Sequence, residues 1–255
     1  MSEHIRSSVD GGVQTIIIAR PEKKNALTLA MYESLTAAFE AGEQDETVRV
    51  RLLFGLPGAF SAGNDFTDFV EARKKGVDTL PPVKAFLRAL VFSEKPLIAA
   101  VDGFAFGIGA TLMLNCDMAF ATRESVFVTP LVDLGLLPEG ASSLLAPQQM
   151  GYHAAFAFIA AGEPLTAEAA FRARLINMIV PSESLEKHAR NVAARLAAKP
   201  PQALAISRKL LRPDPNEIWR RVELEEEHYK LQLASTEARE AYRAFMQRRS
   251  AMAAE

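Results

Sequence analysis

Lys95-Pro96-Leu97-Ile98-Ala99-Ala100-Val101-Asp102-Gly103-Phe104-Ala105-Phe106-Gly107-Ile108-Gly109-Ala110 is an apolar run that breaks at an aspartate and turns through glycines into an apolar helical stretch. Leu97 to Val101 has the length and composition of a buried strand. The amides that follow point to a helix N-terminus, where the backbone dipole favours negative charge. A dinucleotide fingerprint fails because Leu112 stands where its third glycine belongs, and a P-loop fails because no Gly-Lys-Ser/Thr follows. A similar arrangement occurs upstream, where a strand predicted over Val48 to Phe54 precedes Ala59-Phe60-Ser61-Ala62-Gly63-Asn64-Asp65-Phe66. Small residues at Ser61, Ala62 and Gly63 let a ligand approach the backbone. Each segment taken alone reads equally well as a tight turn. Two such amide donors converging on one oxygen would make an oxyanion hole.

Working outward, strands are predicted at Val13 to Ala19, Met118 to Ala121, Val126 to Val128 and Met178 to Val180. Leu29, Tyr32, Leu35 and Phe39 fall on one face of a helix over Thr28 to Ala41, with Thr28 as its N-cap. From Ala141 onward helices dominate, at Tyr152 to Ala161, Ala167 to Ala173, Leu185 to Ala198, Ala203 to Leu211, Glu217 to Gln232 and Thr236 to Arg249. Strands alternating with helices indicate an α/β core. Gly76, Pro81 and Pro82 suggest a mobile segment over Arg73 to Pro82. The apolar residues of the last helices (Leu196, Leu204, Ile206, Leu210, Leu211, Trp219, Val222, Leu224) either pack on their own core, which is the favoured expectation, or bury a subunit interface.

Several segments together resemble the enoyl-CoA hydratase/isomerase (crotonase) family. They are Arg20-Pro21-Glu22-Lys23-Lys24-Asn25-Ala26-Leu27, the Phe60 to Phe66 turn, Lys95 to Gly103, and Cys116-Asp117-Met118-Ala119-Phe120-Ala121. Their order and spacing match from Arg20 to about Ile179. The resemblance implies a stacked ββα spiral core over residues 1–195 and a helical trimerisation region over 196–255. It also implies a homotrimer or dimer of trimers, and a coenzyme A thioester that is substrate rather than cofactor. The family's oxyanion donors map onto the backbone N–H groups of Asn64 and Ile108. Many relatives carry glycine at the latter position, and a β-branched residue held at positive φ there would be strained. Lys23, Lys24 and Ala26 map beside the coenzyme A adenosine. Ser61, Ala62, Gly63, Asp65, Phe66, Gly107, Leu131 and Leu136 complete the implied substrate contacts.

The two glutamates with which hydratases of the family activate water map onto Thr111 and Leu131, neither of them a carboxylate. Leu136-Leu137-Pro138-Glu139-Gly140-Ala141-Ser142-Ser143 instead resembles the motif of the peroxisomal-type Δ3,Δ2-enoyl-CoA isomerases, whose catalytic base maps onto Glu139. Shifting a 3-enoyl double bond to the 2-trans position moves a proton from C2 to C4, which one carboxylate can do. Leu131, Leu136, Leu137 and Pro138 give Glu139 an apolar setting that should raise its pKa. Glu139 could instead be a helix-N-terminal acid. Asp133 is a nearby competitor, and Asp65 suits capping better than acid–base work.

With 29 basic and 31 acidic residues, the chain has no basic excess that would suggest nucleic acid. The single cysteine, Cys116, excludes an intrachain disulfide and a thiolate metal site. His4, His153, His188 and His228 lie outside every motif, and Ser142 and Ser143 form no nucleophile elbow. Neither an apolar leader nor a membrane span nor a peroxisomal C-terminus is apparent, so a cytoplasmic enzyme of fatty acid metabolism is expected. Other readings remain open at this point: hydration or another thioester reaction on the same fold, and acyl-CoA binding without catalysis.

Overall fold

The computed structural model describes residues 2–76 and 78–252. The chain opens with a hairpin, β1 (Ile5–Asp10) and β2 (Val13–Ile18), followed by helix α1 (Leu29–Gln44). Thr28 caps α1, its side chain accepting from the Met31 N–H. Strand pairs then follow in sequence: β3 (Val50–Gly55) with β4 (Ala59–Ser61), β5 (Leu97–Val101) with β6 (Phe104–Phe106), and β7 (Met118–Ala121) with β8 (Val126–Val128). Helices α2 (Phe66–Lys74) and α3 (Leu80–Phe92) separate the first two pairs, and the short α4 (Ile108–Thr111) separates the next two.

The first strand of each pair joins one sheet, ordered β1-β2-β3-β5-β7-β10, and the second joins another, ordered β4-β6-β8-β9. The β2-β3-β5-β7-β10 and β4-β6-β8 ladders are parallel. Each turn of chain therefore adds one strand to each sheet, which is the ββα spiral. After α5 (Ser142–Met150) and α6 (Tyr152–Ala155), which runs into a π-helical turn at Phe156–Ala160, come β9 (Leu165–Thr166), α7 (Ala167–Arg172) and β10 (Met178–Ile179). Helices α8 (Ser182–Ala197), α9 (Pro201–Leu211), α10 (Pro215–Leu233) and α11 (Thr236–Met252) follow.

The larger sheet is covered on both faces. Leu53, Ala99, Val101, Ala119 and Ala121 face the core shared with α1, α3 and α5. The alternate residues Leu52, Phe54, Ile98, Ala100 and Phe120 pack against Leu185, Ala189, Val192 and Ala193 of α8. A parallel strand buried on both sides reads as a continuous apolar run, which makes β5 and β7 visible in the sequence. Exposed β1 and three-residue β4 and β6 carry no such signal.

Of the residues expected to be a mobile segment, Arg73 and Lys74 end α2 and Leu80, Pro81 and Pro82 begin α3, with turn and irregular backbone at Lys75, Gly76, Asp78 and Thr79. Pro81 and Pro82 sit in the first turn of α3, where a missing N–H costs nothing. Val77 lies outside the described residues. Phe86 and Leu90 are core residues, whereas Leu80 reaches the cavity described below. The C-terminal helices divide: Trp219 and Val222 pack internally, but α9 buries no residue and presents Ile206, Leu210 and Leu211 outward.

Candidate active site

β4 and β6 are neighbouring parallel strands, so the turns leaving their C-terminal ends are adjacent. The first turn is stitched to the loop before α1. Ala62 N–H donates to Lys24 O at 3.0 Å, Leu27 N–H to Gly63 O at 2.7 Å, and Asp65 N–H to Leu27 O at 2.8 Å. Ser61 Oγ, fully buried, donates to Asn25 O at 3.0 Å and accepts from Gly63 N–H at 3.1 Å. The Asn64 N–H lies between these bonds and meets no acceptor among the described residues. Its side chain is held by the Tyr32 hydroxyl, which donates to Asn64 Oδ1 at 2.5 Å.

Gly63 has φ 77°, and a Cβ there would lie 2.7 Å from Phe106 O, a backbone atom of the second turn. Gly63→Ala is therefore expected to destabilise the fold by about 1–3 kcal/mol and to lower kcat, because relieving the clash moves the Asn64 amide. Urea denaturation together with steady-state kinetics checks both effects.

At the second turn the strain falls on Gly107 (φ 55°, ψ −123°), a region closed to residues with a Cβ. Gly107 N–H donates to Val128 O at 2.8 Å, and its carbonyl accepts from Ala110 and Thr111 N–H groups. Ile108 is absent from the positive-φ residues and begins α4 as an ordinary helical residue, so the expected strain at a β-branched donor does not arise. Its N–H, like that of Asn64, has no acceptor among the described residues.

Asn64 and Glu139 both line a cavity of about 240 Å³. Phe66, Leu80, Leu87 and Leu136 form part of its apolar wall, and Val222, Glu225, Tyr229 and Leu233 reach it from α10. A Cβ on Gly140 would lie 3.7 Å from Ile108 Cδ1, which places the Glu139 segment against the second turn. Glu139 Oε1 is buried without a hydrogen-bond partner. Burial, with the charge of Glu225 next, pushes the Glu139 pKa up to about 7. The Tyr32 hydroxyl is pushed well above its usual value by burial, Glu139 and Tyr229 in that order.

The other expected site residues distribute unevenly. Leu131 is not on the cavity wall but packs with Leu134 and Leu136 beneath it, a departure from its expected substrate contact. Asp133 is exposed, near Gly162 and off the cavity wall. Asp65 pairs with Arg20 at 2.7 Å and accepts from the N–H groups of Thr67 and Asp68, so its carboxylate is committed to capping α2. Those donors and Arg20 outweigh burial and hold its pKa below the usual carboxylate range. Ser61, Ala62, Gly63, Gly107 and Ile108 shape the turns rather than line the cavity, so of the two expected amide donors only Asn64 is on its wall. Lys23 and Lys24 are exposed on the loop before α1, and the Ala26 carbonyl accepts from Arg20. Thr111 is buried, its hydroxyl 3.5 Å from Ile108 O.

Sequence reasoning missed Glu225, Tyr32 and Tyr229. Tyr32 was legible only as an apolar position of α1. Glu225 lies among four consecutive residues, Leu224-Glu225-Glu226-Glu227, that look like an ordinary solvated helix face.

The alternating strand pairs feed two sheets and set two amide-bearing turns side by side, with Glu139 on the wall of an apolar cavity nearby. The sequence model of the enoyl-CoA hydratase/isomerase family matches residues 8–253. The chain is 33% identical to the 1,2-epoxyphenylacetyl-CoA isomerase of Escherichia coli over 98% of both proteins. It is also 33% identical to enoyl-CoA delta isomerase 2 of Rattus norvegicus, over 88% of this chain and 58% of that protein. A crystal structure of an enoyl-CoA hydratase/isomerase from Pseudoalteromonas atlantica T6c superposes with a TM-score of 0.91 at 33% identity, covering 96% of this chain and 98% of that one. The chain belongs to the enoyl-CoA hydratase/isomerase family and has the crotonase fold.

Proposed function

We propose that the protein shifts the double bond of a 3-enoyl-CoA to give the 2-trans-enoyl-CoA, with Glu139 as its only proton carrier. The observation that carries this is Glu139 itself: a half-buried carboxylate on the cavity wall, with one oxygen buried and unpartnered and a pKa pushed up to about 7 by burial. Such a group accepts a proton readily at neutral pH and returns it as readily. Glu139 takes the proton from C2, the electron pair moves through the thioester carbonyl and the former double bond, and the same proton is delivered to C4. The dienolate oxygen is stabilised by the N–H groups of Asn64 and Ile108, more strongly in the transition state than in the ground state. Lys23 and Lys24 suit the phosphates of coenzyme A. Among the relatives, the name of the enoyl-CoA delta isomerase fits this double-bond shift.

A hydratase would need a second group to hold water. Glu225 and Glu226 are the other carboxylates on the wall, but both oxygens of Glu225 already accept hydrogen bonds from Ala141 and Ser143, and Glu226 is paired with Lys84 and Lys230. Turnover of a panel of 3-enoyl-CoA and 2-enoyl-CoA thioesters separates the alternatives. Conversion of 3-enoyl to 2-enoyl-CoA supports the isomerase. Hydration of 2-enoyl-CoA, or tight binding without turnover, replaces it with a hydratase or a binding protein.

The assembly we propose is a homotrimer, alone or paired. Ile206, Leu210 and Leu211 are 59%, 81% and 86% exposed on a helix that buries nothing within its own chain. The double variant Leu210→Glu, Leu211→Glu is expected to sediment as a smaller species than the wild type. An unchanged sedimentation coefficient would place the interface elsewhere.

A further inference from the structure

We infer that Glu225 is a positioning residue for Glu139: it anchors the turn that carries the base and keeps a fixed negative charge beside it. The inference rests on the assignment of Glu139 as the base.

The residues after Glu139 are held in an uncommon conformation. Gly140 has φ 68° and Ala141 φ 62°, two successive left-handed residues, the second with a Cβ. Asn115 Nδ2 donates to Gly140 O at 3.1 Å. The other anchor comes from α10. Glu225 Oε2 accepts from Ala141 N–H at 2.7 Å, and Oε1 accepts from Ser143 N–H at 2.9 Å and Ser143 Oγ at 2.6 Å. Arg221, one turn earlier on α10, donates to Ser143 Oγ at 3.3 Å. The carboxylate thus caps the N-terminus of α5, whose first amides have no partner within the helix.

A neutral acceptor would serve as a cap, so the charge itself needs a reason. Glu139 and Glu225 line the same cavity, and their surroundings are opposite. Burial raises the Glu225 pKa above the usual carboxylate range, and the three donors from Ala141 and Ser143, with the charge of Arg221, oppose that rise and favour its ionised form. For Glu139 Oε1 there is no donor. The shared proton therefore resides on Glu139, and the charge of Glu225 adds to the effect of burial there. Arg221 offsets part of this charge from the Ser143 side, and the other cations near the cavity are engaged elsewhere. The Tyr32 hydroxyl of α1 is held well above its usual pKa, by burial first, and stays protonated. Lys84 of α3 is engaged by Glu226 at 2.6 Å, and Arg239 of α11 donates to the Ser235 and Ala234 carbonyls.

The test is a carboxyl-carbon NMR titration of ligand-free protein carrying side-chain-labelled glutamate, with the Glu139 signal assigned by its loss in Glu139→Gln. In Glu225→Gln the Glu139 midpoint is expected to fall by on the order of one pH unit. The acidic limb of kcat/KM should fall with it, while KM changes little. Glu225→Asp, which keeps the charge, should restore the limb. If Glu225→Gln does not fold, Ser143→Ala removes one donor without touching either carboxylate. Glu225 then competes for the proton, and the Glu139 transition becomes broader and shallower. An unmoved Glu139 midpoint in folded Glu225→Gln, or an unaltered transition in Ser143→Ala, overturns the inference and leaves Glu225 as a helix cap alone. A Glu139 midpoint that falls in Glu225→Gln although the wild type does not turn over 3-enoyl-CoA supports the Glu225–Glu139 coupling and overturns the isomerase reading alone.

Discussion

Replacing Glu139 by glutamine is expected to lower kcat for 3-enoyl-CoA isomerisation by about 100- to 10,000-fold with little change in KM, the usual span for loss of a positioned acid–base group. Glutamine keeps the shape and the apolar contacts but cannot take a proton from C2. The same substitution should change how stability depends on pH. The native Glu139 pKa of about 7 lies above its ordinary value of 4.5. Between those values the native state binds more protons than the unfolded state, so stability falls as pH rises through the window. The loss is on the order of 3 kcal/mol once Glu139 is ionised in the fold. Urea denaturation at pH 5 and pH 8 should show this loss in the wild type, and a smaller one in Glu139→Gln. A variant that is both less active and more stable at pH 8 is the pattern of a strained functional group. Full isomerase activity in the variant would remove Glu139 from the mechanism.

Ile108→Pro is expected to reduce kcat by about 100- to 1,000-fold, the cost of removing one oxyanion donor. Ile108 is the first residue of α4, where proline fits the helical φ and its missing N–H breaks no helix hydrogen bond. The side chain is buried, so some stability is lost with it. Ile108→Ala separates the two effects. It keeps the amide and loses the packing, so it should cost about 2–5 kcal/mol in stability yet retain most of kcat. Equal kcat values for the two variants would show that the Ile108 amide is not a donor to the reacting oxygen.

The parts of the molecule that were legible beforehand are those with a local physical cause. Leu97–Val101 and Met118–Ala121 form strands as predicted because both faces of a parallel sheet are buried. Thr28 caps α1 because its hydroxyl reaches an amide three residues on. Pro81 and Pro82, counted among the marks of a mobile segment, lie in the first turn of α3, since a proline pair can open a helix as well as end one. The expected strain at Ile108 was misplaced by one residue, because the preceding glycine absorbs the positive φ.

Within the candidate site the division is similar. The glycine turns at Gly63 and Gly107, and Glu139 with its apolar neighbours, are each contained in a few consecutive residues, so the sequence by itself determined their existence and character. It could not determine which groups surround Glu139, because those arrive from distant elements: Tyr32 and Asn64 from the first third of the chain, and Glu225 and Tyr229 from α10. A glutamate in a charged helical run has no local mark that distinguishes a solvated side chain from a buried one. Only the packing of α10 against α3 and α5 brings Glu225 to the N-terminus of α5 and its charge beside the base. Burial and proximity to another charge depend on the whole folded chain, and these set the proton affinity of Glu139.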